Sequence, residues 1–195
     1  MLNFIISFLV LLNPFALFIY LMPLKKERGL REFMQILLRA SLISGVIYLL
    51  FAFFGQAIFR ELNVNFEAFR IFGGVVLVSF ALSFILQGKQ SMISTRGELS
   101  KIAAEVALPF IVGAGTITLS ILIGEVQAAV ASVVIVTVVM IINFLIIMSL
   151  AYLRHRLNDK LKIVLDKNAE ILLRINGFVV GAYGVDLIIT GISNL

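Results

Sequence analysis

Apolar residues gather along the chain into six long runs, roughly Leu2–Leu24, Ile36–Phe59, Phe69–Gln87, Glu105–Ile123, Val126–Leu153 and Ile171–Ile192. A helix needs about 20 mainly apolar residues to cross the hydrocarbon core of a bilayer. The pattern therefore predicts an all-α, polytopic membrane protein with six transmembrane helices. The first run has no basic residues ahead of it, holds a polar Asn-Pro pair and lacks an A-x-A-like site. It reads as a retained span rather than a signal peptide.

Two of the runs carry breaks. In LVLLNPFALF, residues 9 to 18, Asn13 and Pro14 interrupt an otherwise apolar helix. Proline in a helix interior removes a donor and clashes with the preceding turn, costing roughly 3 kcal/mol, and hydrocarbon does not solvate an amide. A second weak point, Gly113-Ala114-Gly115-Thr116, lies at about the corresponding depth of the fourth run, EVALPFIVGAGTITLSILIG.

The third and sixth runs open on RIFGGVV (70–76) and RINGFVV (174–180), which share Arg, Ile, Gly, Val and Val in phase. The repeat unit is then three spans. An odd number flips the second copy, so the prediction is two inverted three-helix repeats with spans 1 and 4 broken. They occupy residues 1–88 and 105–195 of a single transmembrane domain, joined by a cytoplasmic connector at 89–104. Interruptions in corresponding spans of two halves point to a binding site near the midplane. The freed backbone groups are tolerable there only inside protein or beside a water-filled cavity.

Composition strengthens the membrane assignment. The chain is 61% hydrophobic and 14% charged, with a mean hydropathy of +1.10, against about 45–50% and 25% for a soluble domain. The absence of cysteine excludes disulfides, thiolate metal sites and a cysteine nucleophile. The net charge of +5 belongs to loops and calls for no nucleic-acid partner. Of the 16 Lys and Arg, all but Arg60 and Arg70 fall on the side reached after the first, third and fifth runs. That asymmetry predicts this side to be cytoplasmic, with both termini outside.

The Asn13-Pro14 pair resembles the N-P-x-G motif of the MarC family of six-span membrane proteins. Gly113-Ala114-Gly115-Thr116-Ile117-Thr118 resembles that family's G-P-G-x-I-T motif, and the R-I-x-G openings of the third and sixth runs are similar too. Ala16 stands where the family usually has glycine, Ala114 where it usually has proline, and Asp186 where a neutral polar residue is expected. The resemblance implies a transporter of small neutral amino acids, such as glycine and alanine, in the cell membrane of a prokaryote. It also implies coupling to a proton or sodium gradient, with no other cofactor. Substrate would be held by Asn13, Pro14, Phe15 and Ala16 in one break and by Gly113, Ala114, Gly115 and Thr116 in the other.

Each polar residue also has a plainer reading. A proline kink in a packed helix accounts for Asn13-Pro14 taken alone. Close helix packing accounts for the glycines, and threonines such as Thr116 and Thr118 satisfy themselves on their own helix. Asp186, some twelve residues into the sixth run, is a candidate for ion coupling, because intramembrane carboxylates are functional candidates by default. Its alternative is a structural carboxyl bonded to Tyr183 or Asn143. Asn143, midway along the fifth run, is either bundle glue or a cavity residue. Ser41, Ser44 and Gly45 invite the same pair of readings. Glu105 and Glu125 bracket the fourth run as boundary residues, and His155 lies among Arg154 and Arg156 at headgroup level. The sequence carries no H-E-x-x-H, Gly-rich phosphate loop or G-x-S-x-G elbow and so offers no enzyme signature. An exporter of another small solute and a passive channel remain as alternatives to an amino-acid carrier.

Overall fold

A chain in hydrocarbon must bond its own backbone, and helices are the local way to do so. In the computed structural model, which describes residues 1–86 and 98–195, the described residues contain helices and no strand. The helices are α1 (Leu2–Leu12), α2 (Pro14–Glu61), α3 (Phe66–Leu86), α4 (Leu99–Glu105), α5 (Ala114–Val126), α6 (Ala129–Arg156) and α7 (Asp159–Ser193). A π-helical segment, Val106–Ile111, joins α4 towards α5. Gly29 divides α2 with φ 75° and ψ 174°, a left-handed conformation that suits a residue without Cβ.

Four helical stretches are long and apolar enough to cross a membrane: Leu2–Glu61, Phe66–Leu86, Ala129–Arg156 and Ile171–Ser193. The expectation is six spans with the first and fourth broken, and it is the regions of those two spans that fail to stand as separate long helices. The first two apolar runs form one helical stretch, broken only at Asn13 and Gly29. The fourth run is cut into α4, the π-helical segment and a short α5. Most of the expected connector, residues 89–97, lies outside the described residues. Its last part, Leu99–Ala104, is helical and belongs to α4.

The second break also falls earlier than the glycines suggested. Leu108 is extended, with φ −119° and ψ 120°, and the chain is extended again at Val112 and Gly113. Leu108 precedes Pro109, and the residue before a proline is disfavoured in the helical region. Ala114, Gly115 and Thr116 are already the first turn of α5.

The centre of the bundle is the opening half of α2. Every residue from Ala16 to Met22 is buried, as are Leu24 and Lys25, as expected of a helix that is hydrophobic all round. Around it lie the buried faces of α1, α4, α6 and the π-helical segment. At one end the Lys25 ammonium donates to the Ala151 carbonyl of α6. α3 and α7 pack along one another as an outer pair, and only Gly73, Gly74 and Ala81 of α3 are buried. A Cβ added at Gly74 would lie 2.5 Å from the Gly184 carbonyl oxygen, so the two backbones touch.

The closest approach joins α5 to α2. A Cβ at Gly124 would fall 1.7 Å from the carbonyl oxygen of Ala52, where no side chain can swing aside. Gly124→Ala is therefore expected to destabilise the fold by about 1–3 kcal/mol, the usual cost of overpacking. Thermal unfolding of the purified protein in detergent checks this as a lowered midpoint.

Candidate functional site

Asn13 ends α1 and begins α2 at once. It adopts the left-handed conformation, φ 50° and ψ 66°, which asparagine tolerates better than most side chains. Its own N–H closes the last turn of α1 on the Leu9 carbonyl at 2.9 Å. Its Oδ1 then caps α2 by accepting from the Ala16 N–H at 3.2 Å. Pro14 follows at the first helical position, where its missing N–H would have had no partner anyway. The pair thus makes a true break between two helices rather than a kink in one.

The second break is held by side chains from two directions. Tyr48, fully buried on α2, donates its hydroxyl to the Ile111 carbonyl at 2.6 Å. Thr116 Oγ1 accepts from the Gly113 N–H at 3.0 Å and donates to the Gly113 carbonyl at 2.8 Å. Phe8 of α1 packs edge-on against the Tyr48 ring, with centroids 4.9 Å apart, linking the supports of the two breaks.

The breaks meet across one cleft with a cavity volume of about 90 Å³. From the first break come Leu11, Leu12, Asn13, Ala16, Leu17 and Tyr20; from the second, Ile111 and Gly113 to Thr116. α3 adds Val76, Leu77, Phe80, Ser83 and Phe84, and α7 adds Val180. Among the described residues lining the cleft, none is Asp, Glu, Lys, Arg or His. The Tyr20 and Phe84 rings meet at 5.1 Å along one wall. A Cβ at Gly113 would touch nothing within 4 Å, so this glycine leaves open space beside the breaks.

The N-cap of α2, Asn13, and the first residue of α5, Ala114, both line the cleft. First-turn N–H groups have no intrahelical partner, and the helix dipole makes such ends attractive to anions. Asn13 Oδ1 also accepts from Asn176 Nδ2 of α7 at 2.6 Å, which leaves the Asn13 amide to act as a donor. Asn176 escaped notice in the sequence, although it occupies the variable position of RINGFVV. In RIFGGVV, a Cβ at Gly73 would lie 2.7 Å from the Ala114 Cβ. Each R-I-x-G motif therefore touches the break that belongs to the other half of the chain.

Other residues singled out in the sequence lie elsewhere. Pro14 and Phe15 belong to the capping turn of α2 and do not line the cleft. Thr118 is buried on α5 with no partner for its hydroxyl among the described residues. Asn143 is sealed within α6, off the cleft. Asp186 is exposed on the outer face of α7, between Val185 and Ile189, which are 46% and 59% exposed. Gly184 packs on α3, and two residues further on, about 200° around the helix, the chain faces outward. Asp186 therefore does not face the cleft.

The family model described as MarC family integral membrane protein matches residues 1–195. The chain belongs to the MarC family. Relatives of this MarC chain occur in archaea and bacteria. A UPF0056 membrane protein of Pyrococcus horikoshii is 25% identical over 190 residues, covering 96% of this chain and 90% of that protein. One from Aquifex aeolicus is 26% identical, covering 97% and 91%. Another from Methanocaldococcus jannaschii is 30% identical, covering 89% and 76%. No solved structure matches the chain. As a MarC protein it is an integral membrane protein, and α3 and α7 expose apolar residues such as Phe72 and Phe178.

The support of the second break is testable. Tyr48→Phe keeps the ring and removes the hydroxyl that α2 donates to the Ile111 carbonyl, leaving that carbonyl to the long 3.4 Å contact from Thr116. The expected loss is about 1–3 kcal/mol, read as a lower unfolding midpoint in detergent with helix content retained.

Proposed function

We propose that this MarC protein is a secondary active transporter of small neutral amino acids such as glycine and alanine. The carrying observation is that two helix breaks from distant parts of the chain border one cleft lined by uncharged residues. Broken helices facing each other across a cavity are how many carriers hold a solute in the membrane. A zwitterion suits such a place. Its carboxylate would meet the N-termini of α2 and α5 and the Asn13 amide, and its ammonium would meet carbonyls freed at the ends of the preceding helices. The short side chains of Ala16 and Ala114 and the open space at Gly113 favour a substrate with little side chain of its own.

In this reading the chain passes the membrane six times in two inverted halves, 1–88 and 105–195, with the basic loops cytoplasmic and both termini outside. The reciprocal contacts support it: Asn176 reaches the first break, and Gly73 reaches the second. A two-fold relation between the halves produces such an exchange. The rocking of one part of the bundle about the cleft would expose it to each side in turn. Coupling would draw on a proton or sodium gradient, with no catalysis involved.

Counterflow tests the proposal. Vesicles loaded with unlabelled glycine and carrying the purified protein should accumulate labelled glycine from outside. Gly113→Val should cut that uptake by about tenfold, equivalent to about 1.4 kcal/mol of lost binding, while leaving the unfolding midpoint unchanged. Uptake without stimulation by internal glycine would indicate a channel. Neither uptake nor binding across a panel of neutral amino acids would sink the reading.

A further inference from the structure

Serines within helices commonly return their hydroxyl to the carbonyl one turn back. Ser79, Ser83, Ser120 and Ser193 do so here, at 2.9 to 3.1 Å. Ser41 and Ser44 of α2 do not: at 7% and 0% exposure, their hydroxyls have no partner among the described residues. Asn143 is 0% exposed, and neither its Oδ1 nor its Nδ2 has a partner. It sits near the middle of α6, as far from the ends of that apolar helix as a residue can be. Native interiors rarely leave such groups unpaired, and an unpaired group signals an ion or water that occupies the place.

These residues share one place in the bundle. Ser132 of α6 reaches the Ile123 carbonyl, beside the Gly124–Ala52 contact, and a Cβ placed on Gly45 would lie 3.7 Å from Met140 Cγ of α6. The register therefore runs antiparallel between α6 and the Leu30–Glu61 part of α2. One turn beyond the Gly45–Met140 contact, towards the same end, stand Ser41 and Asn143. Both are rotated from the contact line to the same side of the seam, the buried side, where Ser44 also faces.

We propose that Ser41, Ser44 and Asn143 form a sodium site in the α2–α6 seam, separate from the substrate cleft. Hard cations take oxygen ligands, and divalent ones want several carboxylates. Three neutral oxygens, two hydroxyls and an amide carbonyl, suit a single charge and leave nothing to neutralise a double one. Gly45 carries no side chain between α2 and α6, so the two helices approach closely beside these oxygens. The cleft lining offers no Asp, Glu or His to carry a proton, which gives this neutral site the better claim to coupling. That link to transport rests on the carrier reading above; ion binding itself does not.

The test is thermal unfolding of the purified full chain in detergent, with sodium chloride against choline chloride at equal ionic strength. Sodium at ten times its dissociation constant should raise the midpoint by about 3–6 °C. Asn143→Leu should keep the helix content and abolish the shift, and so should the double variant Ser41→Ala with Ser44→Ala. Equal midpoints in sodium and choline would mean that water alone fills the seam and would overturn the proposal, as would a shift that survives in every variant. A sodium shift lost in these variants, in a protein that takes up no neutral amino acid, would support the site while defeating the transport reading.

Discussion

A helix broken inside hydrocarbon must find new partners for the backbone groups it releases, and this constraint organises the whole molecule. Lipid tails offer none, so these groups must be served inside the protein or from a water-filled cavity. At the first break, one asparagine closes α1 with its main chain and caps α2 with its side chain. At the second, Tyr48 and Thr116 take up the groups around Ile111 and Gly113. The supports come from α2 and α7 as well as from the broken helices themselves. The breaks are thus fixed features of the bundle rather than local weaknesses.

The same constraint explains where the cleft lies. Two breaks set side by side bring Asn13, Gly113 and Thr116 to one mostly apolar space. α3 and α7, packed backbone to backbone through Gly74 and Gly184, form the outer wall. They bring Val76, Leu77, Phe80 and Val180 to that space. The all-round burial of the Ala16–Met22 turn fixes the first break at the centre. Motion that opens the cleft to one side or the other must therefore pass through these packed neighbours.

Much of this was legible in the residues. The apolar runs announced a helical membrane protein, and Asn13 and the Gly113–Thr116 stretch both reached the cleft, whereas Pro14 and Phe15 did not. The repeated R-I-x-G motif marked the segments that touch the opposite break. Three things were not legible. Pro109 holds Leu108 out of the helix and moves the second break upstream, although a proline in the fourth run was a visible signal. Asn176 and Tyr48 act through contacts with residues far away in sequence, which no local pattern reveals. Asp186 drew attention by its charge and depth, but the helical phase that turns Gly184 onto α3 turns Asp186 away from the cleft. Depth can be counted along a sequence; facing cannot, until the neighbours are known.

The central claim is that the space beside the two breaks is where a small neutral amino acid binds. The chain has no cysteine, and a side chain at Gly113 would meet open space, so Gly113→Cys places a single reactive thiol in the cleft without a competing background. The most direct measurement is its rate of labelling by a small water-soluble thiol reagent in vesicles, with and without glycine. The account predicts that the thiol is labelled and that saturating glycine slows the reaction. A thiol that reacts at the same rate whatever neutral amino acid is present would contradict it.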